Sequence, residues 1–235
     1  MKKFLPVIII AVVLVVALGG VAFLLNTPST PATSDSTANP SAAQSASRVA
    51  APPATAPDEQ PAHVRGRADA PVLIEEFGDF QCPPCGLFHP IMNRIEKDFP
   101  TQVRFSFRHF PIKTQHKHAA LAARATEAAG LQGKFWEMHD LLYDKQNEWK
   151  DATDARPIFM DYARSLGLDA HLFIADIDST RASMRLIMDE RRAQLLGVTG
   201  TPTVFINGRE LPFEQLMAYE KFRDAINAEI AKTKQ

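Results

Sequence analysis

"EFGDFQCPPC", residues 76–85, carries Cys82 and Cys85, the only two cysteines of the 235-residue chain, and it overlaps the β-type run "VLIEEF" at 72–77. Behind the pair Phe88, Ile91, Ile95 and Phe99 recur at spacings of three and four, the apolar stripe of a helix that begins at the cysteines. "VRFSFRHF" at 103–110 then alternates Val103, Phe105 and Phe107 against Arg104, Ser106 and Arg108, which is the period of a strand. A strand–helix–strand unit with such short connections suits a parallel pair.

Further along, from about 115 to 196, helical patterns follow one another without a strand: "HAALAARATEAAG", "GKFWEMHDLLYDK", "ARPIFMDYARSLG", "DAHLFIAD" and "STRASMRLIMDERRAQLLG". Gly130, Gly167 and Gly197 stand where helices should stop. This segment reads as a helical insert. Within it Phe135, Met138 and Leu142 share one face and, with Trp136, read as insert core and not as a cofactor box. The β pattern returns at Thr203–Ile206, Asn207-Gly208 is a two-residue hairpin signal, and Tyr219, Phe222, Ile226 and Ile230 mark a last helix. The expected architecture is one α/β domain over residues 63–235, with helices covering a small mixed sheet.

Upstream, Phe4 to Leu25 is an uncharged apolar run preceded by Lys2 and Lys3, with the next basic residue at Arg48. At about 1.5 Å per residue it matches a hydrocarbon core of roughly 30 Å, and the charge bias exports the remainder of the chain. Residues 1–25 are therefore expected to be a membrane anchor, with a cleaved signal segment as the alternative because Ala17-Leu18-Gly19 and Gly20-Val21-Ala22 are small-x-small sites. Residues 26–62 are rich in Ser, Thr, Ala and Pro with almost no large apolar side chain, the composition of a disordered tether. The domain is expected on the periplasmic or extracytoplasmic side of the cytoplasmic membrane, where cysteines meet oxidant. A formal net charge of −1 offers no basic field for nucleic acid.

Three chemistries compete for the cysteine pair. A structural staple gains little, since so small a loop, already stiffened by Pro83 and Pro84, contributes at most about 2 kcal/mol. A copper or zinc site using Cys82, Cys85 and His89 has spacing that puts all three on one side of a helix, but structural zinc wants four ligands. The redox alternative uses what is present. With Cys82 at the N-cap and Pro83 first in the helix, the sulfur meets the positive end of the helix dipole and its thiolate is favoured, an exposed nucleophile with Cys85 as the more buried resolving partner. Pro84 has no N–H, so only the Cys85 N–H is left as a cap donor and the expected fall in pKa is moderate.

"EFGDFQCPPC", "QGKFWEMHDLLY" and "GVTGTPTVFINGR" together resemble the DsbA family of thiol-disulfide oxidoreductases, which places a helical insert in a thioredoxin fold. The resemblance implies that Pro202 is a cis-proline facing the cysteines, with the Thr201 backbone exposed to pair with an extended substrate segment. It also implies that Glu76, six residues before Cys82, is a buried acid that exchanges a proton with Cys85, while Glu75 points to the other face of the strand. The implied activity is donation of the Cys82–Cys85 disulfide to cysteines of exported proteins, with reoxidation by a membrane quinone-linked partner of the DsbB or VKOR type. A reductase or isomerase is the alternative, because strong oxidases of the family carry histidine at the place of Pro84 and lack threonine before the cis-proline. The known dimeric isomerases carry a dedicated dimerisation domain for which the tether leaves no room, which favours an oxidase; a monomer is expected. Neither a metal nor an organic cofactor is implied.

Overall fold

Strand β2 (Val72–Gly78) is the centre of a five-stranded mixed sheet in the computed structural model, which describes residues 63–233. The expected anchor at 1–25 and tether at 26–62 lie outside the described residues. Among the described residues no helix is long and apolar enough to cross a membrane. Strand β2 runs parallel to β3 (Val103–His109), Ile74 opposite Phe105 and Glu76 opposite Phe107, and antiparallel to β4 (Thr203–Ile206), Glu76 opposite Val204. Helix α1 (Pro83–Asp98) makes the crossover between β2 and β3, as the strand–helix–strand pattern requires. Asn207 and Gly208, with φ of 47° and 79°, form the turn into β5 (Arg209–Glu210); two successive positive φ values are what the Asn-Gly pair supplies.

Strand β1 (His63–Gly66) closes the other edge, antiparallel to β3 with His63 opposite Phe107. Four residues are too few to show a period, and tertiary contacts hold the strand. His63 stacks on Phe135 with centroids 3.4 Å apart, and Glu127 accepts from His63 Nε2 at 2.8 Å and His109 Nε2 at 2.7 Å. Burial alone would raise the Glu127 pKa, but the two histidines bring it down to about 2.

The insert comprises α2 (Ala119–Leu131), α3 (Phe135–Asp144), α4 (Gln146–Trp149), α5 (Arg156–Ser165), α6 (Ala170–Ile177) and α7 (Thr180–Leu196). Gly197 ends α7 in the left-handed region, but Gly130 is not a stop: α2 runs through it, and Gly133, φ 76°, takes the left-handed turn instead. Helices α8 (Phe213–Leu216) and α9 (Tyr219–Lys232) complete the chain.

Side chains of β2 alternate between two different environments. Ile74 and Glu76 share a face with Phe105 and Phe107, against the buried Phe88, Met92 and Ile95 of α1 and the aromatic side of α3. Phe77 on the opposite face joins Ala193 and Phe205, and beside it Glu75 meets Arg108 of β3. Arg108 also donates to Asp189 Oδ1 at 3.1 Å, while Asp189 Oδ2 accepts from the His109 backbone at 3.0 Å. Arg192 lies 3.5 Å from Glu75, so α7 is bound to the sheet by an ion network with Arg108 only 1% exposed. Without Arg108, Glu75 keeps the more distant Arg192 and Asp189 keeps Arg185, and both buried carboxylates lose their shared, fully desolvated partner. Arg108→Leu should therefore destabilise the fold by roughly 3–5 kcal/mol in denaturant titration, against about 1 kcal/mol for a typical point mutation.

Candidate active site

Asp79 shapes the approach to the cysteines. Its Oδ1 accepts from the Gln81 N–H at 2.8 Å and its carbonyl from the Cys82 N–H at 3.0 Å, a turn that aims the chain into α1. Its Oδ2 accepts from Ile112 N at 2.8 Å and pairs with His116 Nδ1 at 2.7 Å, which fixes the 110–118 loop beneath the turn. From the insert, Gln146 Nε2 donates to the carbonyls of Phe80 at 2.7 Å and Cys82 at 2.9 Å. Gln81 Nε2 in turn donates to the Lys150 carbonyl at 2.6 Å.

Cys82 is the N-cap of α1, extended at φ −68° and ψ 121°, with Pro83 and Pro84 opening the helix. Both cysteines are free thiols. Against the expectation of an exposed nucleophile, Cys82 is only 5% exposed. The segment around Pro202 covers it: the Thr201–Pro202 peptide is cis, and the Cys82 thiol donates to the Thr201 carbonyl at 3.4 Å. Thr201 Oγ1 is buried without a hydrogen-bond partner.

Electrostatics separate the two sulfurs. A hydrogen bond from the Cys85 thiol, aided by the Cys85 backbone N–H, outweighs burial and the nearby Asp79 and lowers the Cys82 pKa to about 6. Cys85 is fully buried, and burial together with the Cys82 and Glu76 charges raises its pKa well above the ordinary value. Glu76 lies on the β2 face that meets α1, 3% exposed, and its Oε1 is unpartnered; burial first, then the Cys82 charge, pushes its pKa up to about 8. Tyr143 of α3 joins this group: its hydroxyl is buried and unpartnered, and burial, Cys85 and Glu76 raise its pKa. Glu75 sits on the other face with Arg108.

The structure does not bring His89 together with the cysteines. Among the described residues the one group of three potential metal ligands is His89, His139 and Asp140, whose ligand atoms lie within 4.8 Å of one another. These side chains already have partners: Asp140 accepts from Arg65 at 2.8 Å and pairs with His139 Nδ1 at 2.8 Å, and Asn93 reaches His89 Nε2 at 3.0 Å. Burial lowers the pKa of both histidines, His139 to about 4. They form part of an aromatic cluster in which Tyr143 stacks on His89 and Phe80 packs edge-on to His139.

Residues 58–228 match the family described as Thioredoxin. The chain belongs to that family. Among solved structures it is similar to oxidised BdbD from Bacillus subtilis, with 28% identity, 72% of this chain and 92% of that one covered, and a TM-score of 0.64. A thioredoxin-like oxidoreductase from Silicibacter pomeroyi DSS-3 has 26% identity, covering 72% and 93%, with a TM-score of 0.58. Wolbachia pipientis alpha-DsbA1, at 21% identity, 72% and 90% coverage and a TM-score of 0.60, shares the fold. The fold these structures share with this chain is a thioredoxin-like sheet with a helical insert. Of curated sequences, the Na(+)/H(+) antiporter NhaA 1 of Salinispora arenicola is 44% identical over 147 residues, which are 63% of this chain and 22% of the antiporter's length.

The site generates a pH signature. A carboxyl whose folded pKa is raised from 4.5 to about 8 keeps its proton in the folded state while the unfolded chain releases it. Folding is then favoured below the unfolded pKa, and this contribution is lost as pH climbs toward the folded value, by about 1.4 kcal/mol per unit. Stability of the reduced protein relative to Glu76→Gln should fall steadily between pH 5 and 8 in chemical unfolding. A flat difference would mean that Glu76 ionises normally in the fold.

Proposed function

We propose that the protein is a membrane-tethered, extracytoplasmic oxidase that transfers the Cys82–Cys85 disulfide to cysteines of exported proteins. The observation that carries this reading is the contrast between the two sulfurs, one lowered to about 6 and the other raised by burial. A stabilised Cys82 thiolate stabilises the reduced pair, and a more stable reduced form makes the disulfide a stronger oxidant.

In the forward reaction a substrate thiolate attacks Cys82 Sγ, the Cys82–Cys85 bond breaks, and Cys85 leaves with the electron pair. In this reading Glu76, protonated at neutral pH, gives Cys85 its proton. A second substrate thiolate then attacks the substrate sulfur of the mixed disulfide and Cys82 departs as thiolate. Two electrons have moved from substrate to enzyme, and a quinone-linked membrane protein of the DsbB or VKOR type removes them. In this reading the Thr201 backbone, beside Cys82 and two residues before β4, pairs with an extended substrate segment. The apolar run at 4–25 and the polar tether at 26–62 support the location. The shared stretch is 22% of the antiporter, and we assign this chain the chemistry of its own site, not ion transport.

Cys85→Ala in cells should accumulate mixed disulfides through Cys82 with cysteine-containing exported proteins, and Cys82→Ser should abolish both trapping and oxidation of a reduced test protein. The purified wild type should have a reduction potential well above the roughly −270 mV of thioredoxin. A value at or below that figure would assign the reductase direction instead.

A further inference from the structure

Gln146 lies on the insert, 64 positions from Cys82 in sequence, yet its side-chain amide is built into the cysteine turn. The amide has two hydrogens, and Nε2 reaches two carbonyls, Phe80 O at 2.7 Å and Cys82 O at 2.9 Å. These flank the turn that sets the cysteine. The local sequence offers them little else: Pro83 and Pro84 have no N–H, and the first helical bond to the Cys82 carbonyl comes from Gly86 at a long 3.2 Å. The approach is tight. A Cβ built at Gly86 would fall 2.6 Å from Gln146 Oε1, so the glycine is what lets the amide lie against α1. Gln146 itself is 7% exposed, and α4 is pinned by the buried Trp149, whose indole donates to the Leu142 carbonyl at 2.9 Å.

We infer that Gln146 is a positioning residue for the redox reaction, holding the Phe80–Cys82 turn so that Cys82 Sγ stays within reach of the Cys85 thiol, the Cys85 N–H and Thr201. This rests on the proposal that Cys82 is the redox nucleophile. The amide does not touch the sulfur. It acts through the backbone: with both carbonyls fixed, the turn keeps the Cα–Cβ bond of the N-cap residue aimed at the few donors that the double proline leaves. A groove of about 440 Å³ bordered by Pro83, Gly86, Leu87, Tyr143, Gln146 and Lys150 runs past this contact. Water entering from the groove can satisfy the two carbonyls when the amide is removed, so the fold survives, but mobile water does not fix the turn. An ordinary structural cap would change stability alone; a positioning residue changes the thiolate.

The test uses the full-length protein, wild type, Gln146→Met and Gly86→Ala. Methionine keeps the length of the side chain and removes both donors, whereas the methyl group added by Gly86→Ala pushes the amide off α1. Three readings are taken: thiolate absorbance against pH, the disulfide-exchange equilibrium with glutathione, and thermal unfolding. Both variants should remain folded, raise the Cys82 pKa by about one unit and reduce the exchange equilibrium constant about tenfold, equivalent to about 30 mV. Should Gln146→Met fail to fold, Gly86→Ala carries the test. A low wild-type pKa that neither folded variant moves would overturn the positioning role. A wild-type Cys82 that titrates like a free thiol near 8.5 would instead remove the redox reading on which it rests.

Discussion

Three acids, Cys82, Cys85 and Glu76, share the space under the start of α1, and near neutral pH only one of them carries charge. Poorly screened like charges repel strongly, so ionising any one raises the cost of ionising the others. The helix start decides which one wins. Cys82 sits at the N-cap with the Cys85 thiol pointing to it as a donor, while Cys85 and Glu76 lie behind it in apolar surroundings that favour their neutral forms. In the reaction proposed above the division of labour is a consequence: the sulfur that substrate attacks departs as the stable thiolate, and the inner sulfur is the one that takes up a proton. Forming the disulfide removes the Cys82 charge and with it one of the two causes that hold Glu76 protonated.

This charge partition needs a rigid frame on both sides of the sheet. On one face β2 presents Glu76 to α1; on the other, one residue earlier, it presents Glu75 to Arg108 and so to α7. Adjacent glutamates of one strand thus have opposite fates, one neutral in an apolar site and one in an ion network. A slip of one residue in β2 would exchange them. The pairing of Glu75 with Arg108 and its approach to Arg192 make such a slip costly, and Asp189 of α7 holds Arg108 in place for it.

Much of this is legible in the sequence alone. The alternation in "VRFSFRHF", the stripe behind the cysteines and the Asn-Gly turn each announce local structure through short-range geometry, and β3, α1 and the β4–β5 hairpin form where those signals stand. The N-cap place of Cys82 is equally readable, because a proline suits the first helical position. Asp79 escapes that reading although an Asp two residues before Gln81 is an Asx-turn pattern with a physical rationale. Gln146, Tyr143 and Asp189 give no such signal: each acts on residues far away in the chain, and a glutamine on a helix otherwise reads as a polar surface residue. The approach of residues 201 and 202 to Cys82 is implied by the family resemblance, but the burial of the sulfur is not, since it depends on distant packing.

The double proline explains why the Cys82 thiolate is stabilised moderately and not to an extreme. A helix N-terminus usually offers several free N–H groups to a capping anion, and here Pro83 and Pro84 delete the first two. What remains is the Cys85 thiol and the Cys85 N–H, set against burial and the field of Asp79. Asp79 cannot simply be dispensed with, because the same carboxylate that opposes the thiolate also builds the turn that delivers it, through Gln81 and the 110–118 loop. The sulfur therefore sits where a structural requirement and an electrostatic one conflict. The resulting pKa, about 6, is low enough to favour thiolate at neutral pH while leaving appreciable nucleophilicity, which falls as a thiol becomes more acidic.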